Sequence, residues 1–138
     1  MSHDRMAGLW QMNMAKSTFS PGPPARIVRY EIDVSGLNLQ MKTYRLDAGG
    51  NEVQYQYEAR FDGQTYPVAA PHADLVSWTP VGPGSYATRI WKDGHLLMTG
   101  TLDLSEDGQT IIGQYTGATR DGIVIHNYLV VEKQGKEQ

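Results

Sequence analysis

The sequence predicts an all-β domain: a single antiparallel up-and-down β-barrel of about eight to ten strands. Three observations predict it. Short runs of alternating apolar and polar residues recur along the chain. Turn dipeptides separate them at the spacing of roughly 8–12 residues that marks a meander. No window carries the 3.6-residue apolar stripe of an amphipathic helix.

Taken in order, the expected strands are 7–13, 26–34, 37–46, 52–61, 64–69, 74–80, 85–92, 95–104, 109–118 and 123–133. The 52–61 run alternates most cleanly. Val53, Tyr55, Tyr57, Ala59 and Phe61 share one face; Gln54, Gln56, Glu58 and Arg60 share the other, because successive side chains of a strand point to opposite sides. In 26–34, Val28, Tyr30, Ile32 and Val34 oppose Arg29, Glu31 and Asp33 in the same way. Asp62-Gly63, Asp93-Gly94, Asp107-Gly108 and Asp121-Gly122 supply turns, as do Ser35-Gly36, Gly49-Gly50-Asn51 and Gly82-Pro83-Gly84. Asp-Gly suits tight hairpins, whose central residues take positive φ.

Two connections break the short-turn pattern. Residues 14–25 are Pro-rich and 69–74 contain Pro71; both are expected to be irregular loops, serving as lids or as plugs of a barrel end. Ten meandering strands leave two raw edges unless the sheet closes on itself. Closure at this strand number leaves room for one small ligand. A two-sheet sandwich would need longer Greek-key crossovers.

The 138 residues fit one domain, spanning 1–138. Its ends, 1–6 and 134–138, are expected to be flexible, with His3 in a loose N-terminus and a solvated tail from Lys133 onward. The net charge of −3 and the lack of any Lys/Arg run argue against nucleic acid as a partner. The absence of cysteine excludes disulfides and thiol chemistry. No apolar stretch is long enough for a membrane-spanning helix. No apolar run follows the polar start, so a cytoplasmic location is the expectation. A homodimer is compatible with the sequence.

Gly8-Leu9-Trp10 at the start of the first run resembles the Gly-x-Trp signature of lipocalins and other calycins, the avidins included. In those families the Trp closes one barrel end beneath a basic residue of the last strand. The resemblance implies Lys133 in that role, where lipocalins normally carry Arg. A longer likeness covers residues 8–23, Tyr66-Pro67-Val68, residues 100–110 and Glu132-Lys133-Gln134. These stretches are similar to a family of bacterial lipocalin-like proteins, mostly of unassigned function. The likeness implies the barrel and, by its matched position, an inward Asn127. Many members carry a secretion signal, and none is expected from the polar start of this sequence. The fatty-acid-binding branch of calycins inserts two helices after its first strand; the Pro-rich 14–25 segment argues against that branch.

Eight Tyr, three Trp and two Phe are the richest chemical resource. Tyr and Trp combine an apolar body with one polar handle, which suits a cavity gripping an amphipathic molecule. The candidate ligand-binding residues are Tyr30, Tyr55, Tyr57, Trp78, Trp91, Tyr115 and Asn127. The leading functional expectation is binding of a small hydrophobic or aromatic molecule in the barrel, with no cofactor. The alternative is a small cofactor-free enzyme, an isomerase, cyclase, hydratase or lyase. Its candidate catalytic residues are His126 as acid or base, Tyr128 and Arg89. Two or more ionisable groups converging within the cavity would favour that alternative. Two faces compete on 123–133: Val124, His126, Tyr128 and Val130 against Ile123, Ile125, Asn127, Leu129 and Val131. Only one set can line a cavity. No His pair has metal-ligand spacing, and no phosphate loop, dinucleotide fingerprint or nucleophile elbow is present.

Overall fold

The computed structural model describes residues 3–134. After β1 (Gly8–Met12) and the short β2 (Thr18–Ser20) come β3 (Ile27–Ser35), β4 (Asn38–Leu46), β5 (Glu52–Arg60) and β6 (Thr65–Ala70). The chain continues through β7 (Ala73–Gly82), β8 (Ser85–Lys92), β9 (His95–Leu104), β10 (Thr110–Ala118) and β11 (Val124–Lys133). Two 3-10 turns, Asp4–Met6 and Met14–Lys16, are the only helical segments among the described residues. The domain is all-β.

The strands form one antiparallel sheet in the order β5-β4-β3-β1-β11-β10-β9-β8-β7-β6. Its ends of sequence meet in its middle: Trp10 pairs with Lys133 and Met12 with Val131, while Trp10 also pairs with Tyr30 on β3. The sheet thus curls into a nearly closed barrel. The residual seam lies between β5 and β6, which run side by side without a hydrogen-bonded ladder. Pro67 on β6 contributes to that seam, since a residue without an N–H belongs on a strand edge.

Turn chemistry follows the sequence with one refinement. Only Asp93-Gly94 takes positive φ at both residues, 52° and 77°. At the other Asp-Gly pairs the glycine alone does so. There Asp62 and Asp107 act instead through their carboxylates, accepting from the backbone N–H groups of Gln64 and Gln109 at 3.0 Å each.

Four expectations are corrected. Residues 14–25 are not wholly irregular. Asn13 Oδ1 accepts from the backbone N–H of Lys16 to cap a 3-10 turn, and Thr18–Ser20 then pairs with β11 opposite residues 126–128. This short strand precedes the first proline and covers the part of β11 that β1 is too short to reach. The 69–74 loop reduces to a turn at Pro71-His72, with Ala70 paired to Ala73. The N-terminal residues from His3 onward are packed rather than loose. Met6 and His3 are buried, and His3 Nδ1 lies 2.8 Å from the Tyr86 hydroxyl. Lys133 completes β11 rather than starting a tail, and the backbone N–H of Gln134 donates to Leu9 O at 2.8 Å. Residues 1–2 and 135–138 of the expected flexible ends lie outside the described residues.

The barrel's two ends differ. At the base, Trp10 is 1% exposed and donates its indole N–H to Met6 O at 2.9 Å. Lys133 Nζ lies 5.1 Å from the Trp10 ring centroid, a cation–π contact of the kind the Gly-x-Trp resemblance implies. Gly8 is glycine for two reasons: its φ is +139°, and a Cβ there would meet Lys133 Cε at 3.3 Å. Phe61, Trp78 and Tyr86 pack ring to ring beside it, with centroids 5.2–5.9 Å apart. These groups plug the base.

Candidate functional site

Above the plug the barrel holds a partly open cavity of about 200 Å³. Alternation decides which side chains reach it. On β4 the inward set is Leu39, Met41, Thr43 and Arg45, of which the last three line the cavity. On β8, Thr88 and Ile90 point in. On β11 the competing faces resolve in favour of Asn127, Leu129 and Val131.

Of the candidate ligand-binding residues, Tyr30, Tyr55, Tyr57, Trp78, Tyr115 and Asn127 line this cavity. Trp91 does not. It is half-buried on the outer side of β8, because its neighbours Thr88 and Ile90 hold the inward positions. The three candidate catalytic residues also lie outside. His126, Tyr128 and Arg89 are exposed on the outer wall, each adjacent in sequence to a residue that points in. Acid–base chemistry within the barrel therefore has no access to them.

The phenols form a polar belt inside an apolar wall. Trp78 Nε1 donates to the Tyr57 hydroxyl at 3.1 Å, and that hydroxyl donates to Met41 Sδ at 3.5 Å. Thr88 Oγ1 and the Tyr115 hydroxyl are 3.1 Å apart. The Tyr115 ring lies flat against Gly100, where a Cβ would come within 2.4 Å of a ring carbon. Loss of hydration pushes the phenols of Tyr30, Tyr55, Tyr57 and Tyr115 up from the ordinary tyrosine range. All four remain protonated at neutral pH; the Tyr57 proton is directed to Met41 Sδ.

The end opposite the Trp10 plug carries charge. Arg45 stands one residue from the end of β4, and His72 occupies the β6–β7 turn; both line the cavity. The His72 ring meets Tyr55 edge-on with centroids 5.8 Å apart. Loss of hydration lowers the His72 pKa, and the charges of Arg45 and Lys92 lower it further. The imidazole is thus neutral at pH 7. No Asp or Glu lines the cavity among the described residues, and none of them forms a salt bridge with Arg45.

Sequence reasoning missed Arg45 and His72 as site residues. Arg45 was legible: it continues the inward parity of Leu39, Met41 and Thr43. His72 was not, because a turn residue has no parity to read. No cluster of three metal-ligating side chains is present among the described residues.

No family model and no curated protein matches the sequence. Solved structures do match in fold. The zebrafish ileal bile acid-binding protein, complexed with cholic acid, aligns at a TM-score of 0.57 and 11% identity, over 94% of this chain and 99% of that one. Lobster apocrustacyanin A1 aligns at a TM-score of 0.51 and 12% identity, over 99% of this chain and 64% of that one.

Proposed function

We propose that this calycin-fold barrel binds a small hydrophobic or aromatic molecule in its interior. One observation carries the reading: a partly open interior space of about 200 Å³, walled by Tyr, Trp, Met and aliphatic side chains, with phenol hydroxyls spaced around it. A dry cavity of roughly 150 Å³ accepts a benzene ring, so this one suits a body of one to two rings. The bile acid seated in the zebrafish protein is consistent with such a use of the fold. Trp78 lines the cavity and reports on occupancy. Titration with neutral naphthalene derivatives is expected to change tryptophan emission and raise the melting temperature. A ligand at a hundred times its Kd adds about 2.7 kcal/mol of stability. If no probe in such a panel changes emission or melting, the reading fails.

A second reading, the cofactor-free isomerase, cyclase, hydratase or lyase, is favoured by one observation: ionisable groups do converge inside the barrel. Neutral His72 would accept a proton, and Arg45 or a phenol would steady the developing oxyanion. Substitution His72→Gln separates the two readings, since an enzyme would lose turnover and keep its ligand affinity.

A further inference from the structure

The lining of the cavity is apolar and neutral except at one end. Arg45 is the single Lys or Arg among the described lining residues, and no carboxylate lines the cavity beside it or forms a salt bridge with it. Asp47, on the β4–β5 turn, feels the Arg45 charge, but it does not line the cavity and its carboxylate accepts from the backbone N–H groups of Gly49 and Asn51 at 2.9 and 2.8 Å. Asp74 is likewise committed, to Lys92 at 3.5 Å and to the backbone N–H of Asp93 at 2.6 Å. The Arg45 guanidinium stands at the edge of an apolar cavity. It presents a planar fork of donors suited to two carboxylate oxygens.

We propose that Arg45 and His72 form a head-group site for a carboxylate-bearing amphiphile, whose apolar body lies among Tyr30, Tyr57, Tyr115 and Trp78. The proposal rests on the binding reading above and names the ligand's chemical class. One fixed positive charge matches one negative charge, which favours a monocarboxylate over a doubly charged phosphate. The ring-sized body follows from the volume. The head must lie at the Arg45 end, since Trp10 and Met6 fill the other.

His72 adds a proton linkage. The groups facing it are Arg45 on β4, Tyr55 on β5 and Lys92 on β8, with Asp74 on β7 tied to Lys92. In the empty protein these cations and the loss of hydration keep the imidazole neutral. A carboxylate placed between Arg45 and His72 reverses the local field and favours imidazolium. Binding of the acid anion therefore takes up a proton, and its affinity rises as pH falls from 8 towards 6.

The test compares naphthalene-1-acetate with naphthalene-1-acetamide, which share shape and differ in charge. Wild-type protein is expected to bind the carboxylate more tightly by about ten- to a hundredfold, the range of one charge-assisted hydrogen bond. Arg45→Met is expected to erase that preference while retaining amide binding. Calorimetry of the wild type in two buffers of different ionisation enthalpy is expected to show proton uptake with the carboxylate and none with the amide. This arm needs no variant, so a misfolded Arg45→Met would not rescue a negative result. Equal affinity for the two probes overturns the head-group proposal and leaves the binding reading standing. Failure of both probes to bind overturns both.

Discussion

Filling the cavity should stabilise the protein and abolish binding together. Ala73 is 4% exposed, lines the cavity and begins β7. Ala73→Leu adds three carbons to this wall. At about 0.8 kcal/mol per buried methylene, the transfer gain is about 2.4 kcal/mol. Ordering a leucine side chain removes about 0.5–1 kcal/mol of that, leaving about 1.5–2 kcal/mol. An unfolding entropy of about 2.1 cal/mol/K per residue gives roughly 0.29 kcal/mol/K for 138 residues. The expected rise in Tm is therefore about 5–7 °C. Differential scanning calorimetry measures it, and tryptophan titration with a neutral naphthalene probe measures the loss of binding. A well-packed interior would respond oppositely, since overpacking costs about 1–3 kcal/mol. A lower Tm with unchanged ligand affinity would show that no usable space lies beside Ala73, and the reasoning from volume to function would collapse.

Tyr57→Phe strands the buried Trp78 indole N–H, so urea denaturation is expected to show a loss of about 1–3 kcal/mol; a change below about 0.5 kcal/mol would mean the bond carries no weight. Lys133→Met keeps the stem over Trp10 and removes the charge, with an expected loss of about 0.5–1 kcal/mol in the same assay. Ala substitutions at the outward residues His126, Tyr128 and Arg89 are expected to leave probe affinity unchanged; a tenfold loss at any of them would relocate the site. His72 has a lowered pKa in the folded state, so the unfolded chain takes up its proton first. Stability attributable to His72 is thus fully present above about pH 6.5 and declines as pH falls below it. The difference between wild-type and His72→Gln melting curves across pH 5–8 should show that slope; the opposite slope would mean His72 is charged in the native protein.

Strand positions were readable because each inward face repeats every second residue. All ten expected strands are present, from 26–34 as Ile27–Ser35 to 123–133 as Val124–Lys133. That Tyr55 and Tyr57 share one face, and that Tyr30 sits on the apolar face of its strand, followed from parity; that these faces turn inward is given by the closed sheet. On 123–133 parity failed, because both faces carry apolar residues, and the pairing with β10 and β2 decides that Asn127 points in. β2 escaped notice because three residues make no period, and its neighbours are prolines. The tight Pro71-His72 turn escaped because Pro71 marks a break without saying how short it is. The packing of His3 depends on an aromatic base assembled from Phe61 in the β5–β6 turn and from β7 and β8, which no local window contains. The seam between β5 and β6 is equally non-local: Pro67 marks an edge, but only the closed sheet identifies which edge.

The location of the void has a compositional cause. Val68, Ala70, Ala73, Val76 and Thr88 give one wall, on β6 to β8, small side chains. Tyr30, Tyr55 and Tyr115, on β3, β5 and β10, give bulk elsewhere around the barrel. Were those small residues leucines, the interior would fill. The base shows that this chain can pack aromatics tightly, with Trp10 and Trp78 at 1% and 2% exposure. The same chain leaves a cavity at the level above, rings it with protonated phenols and sets the Arg45 guanidinium at its far end. Tight aromatic packing at one level and open space at the next is the arrangement that a ligand-sized compartment requires.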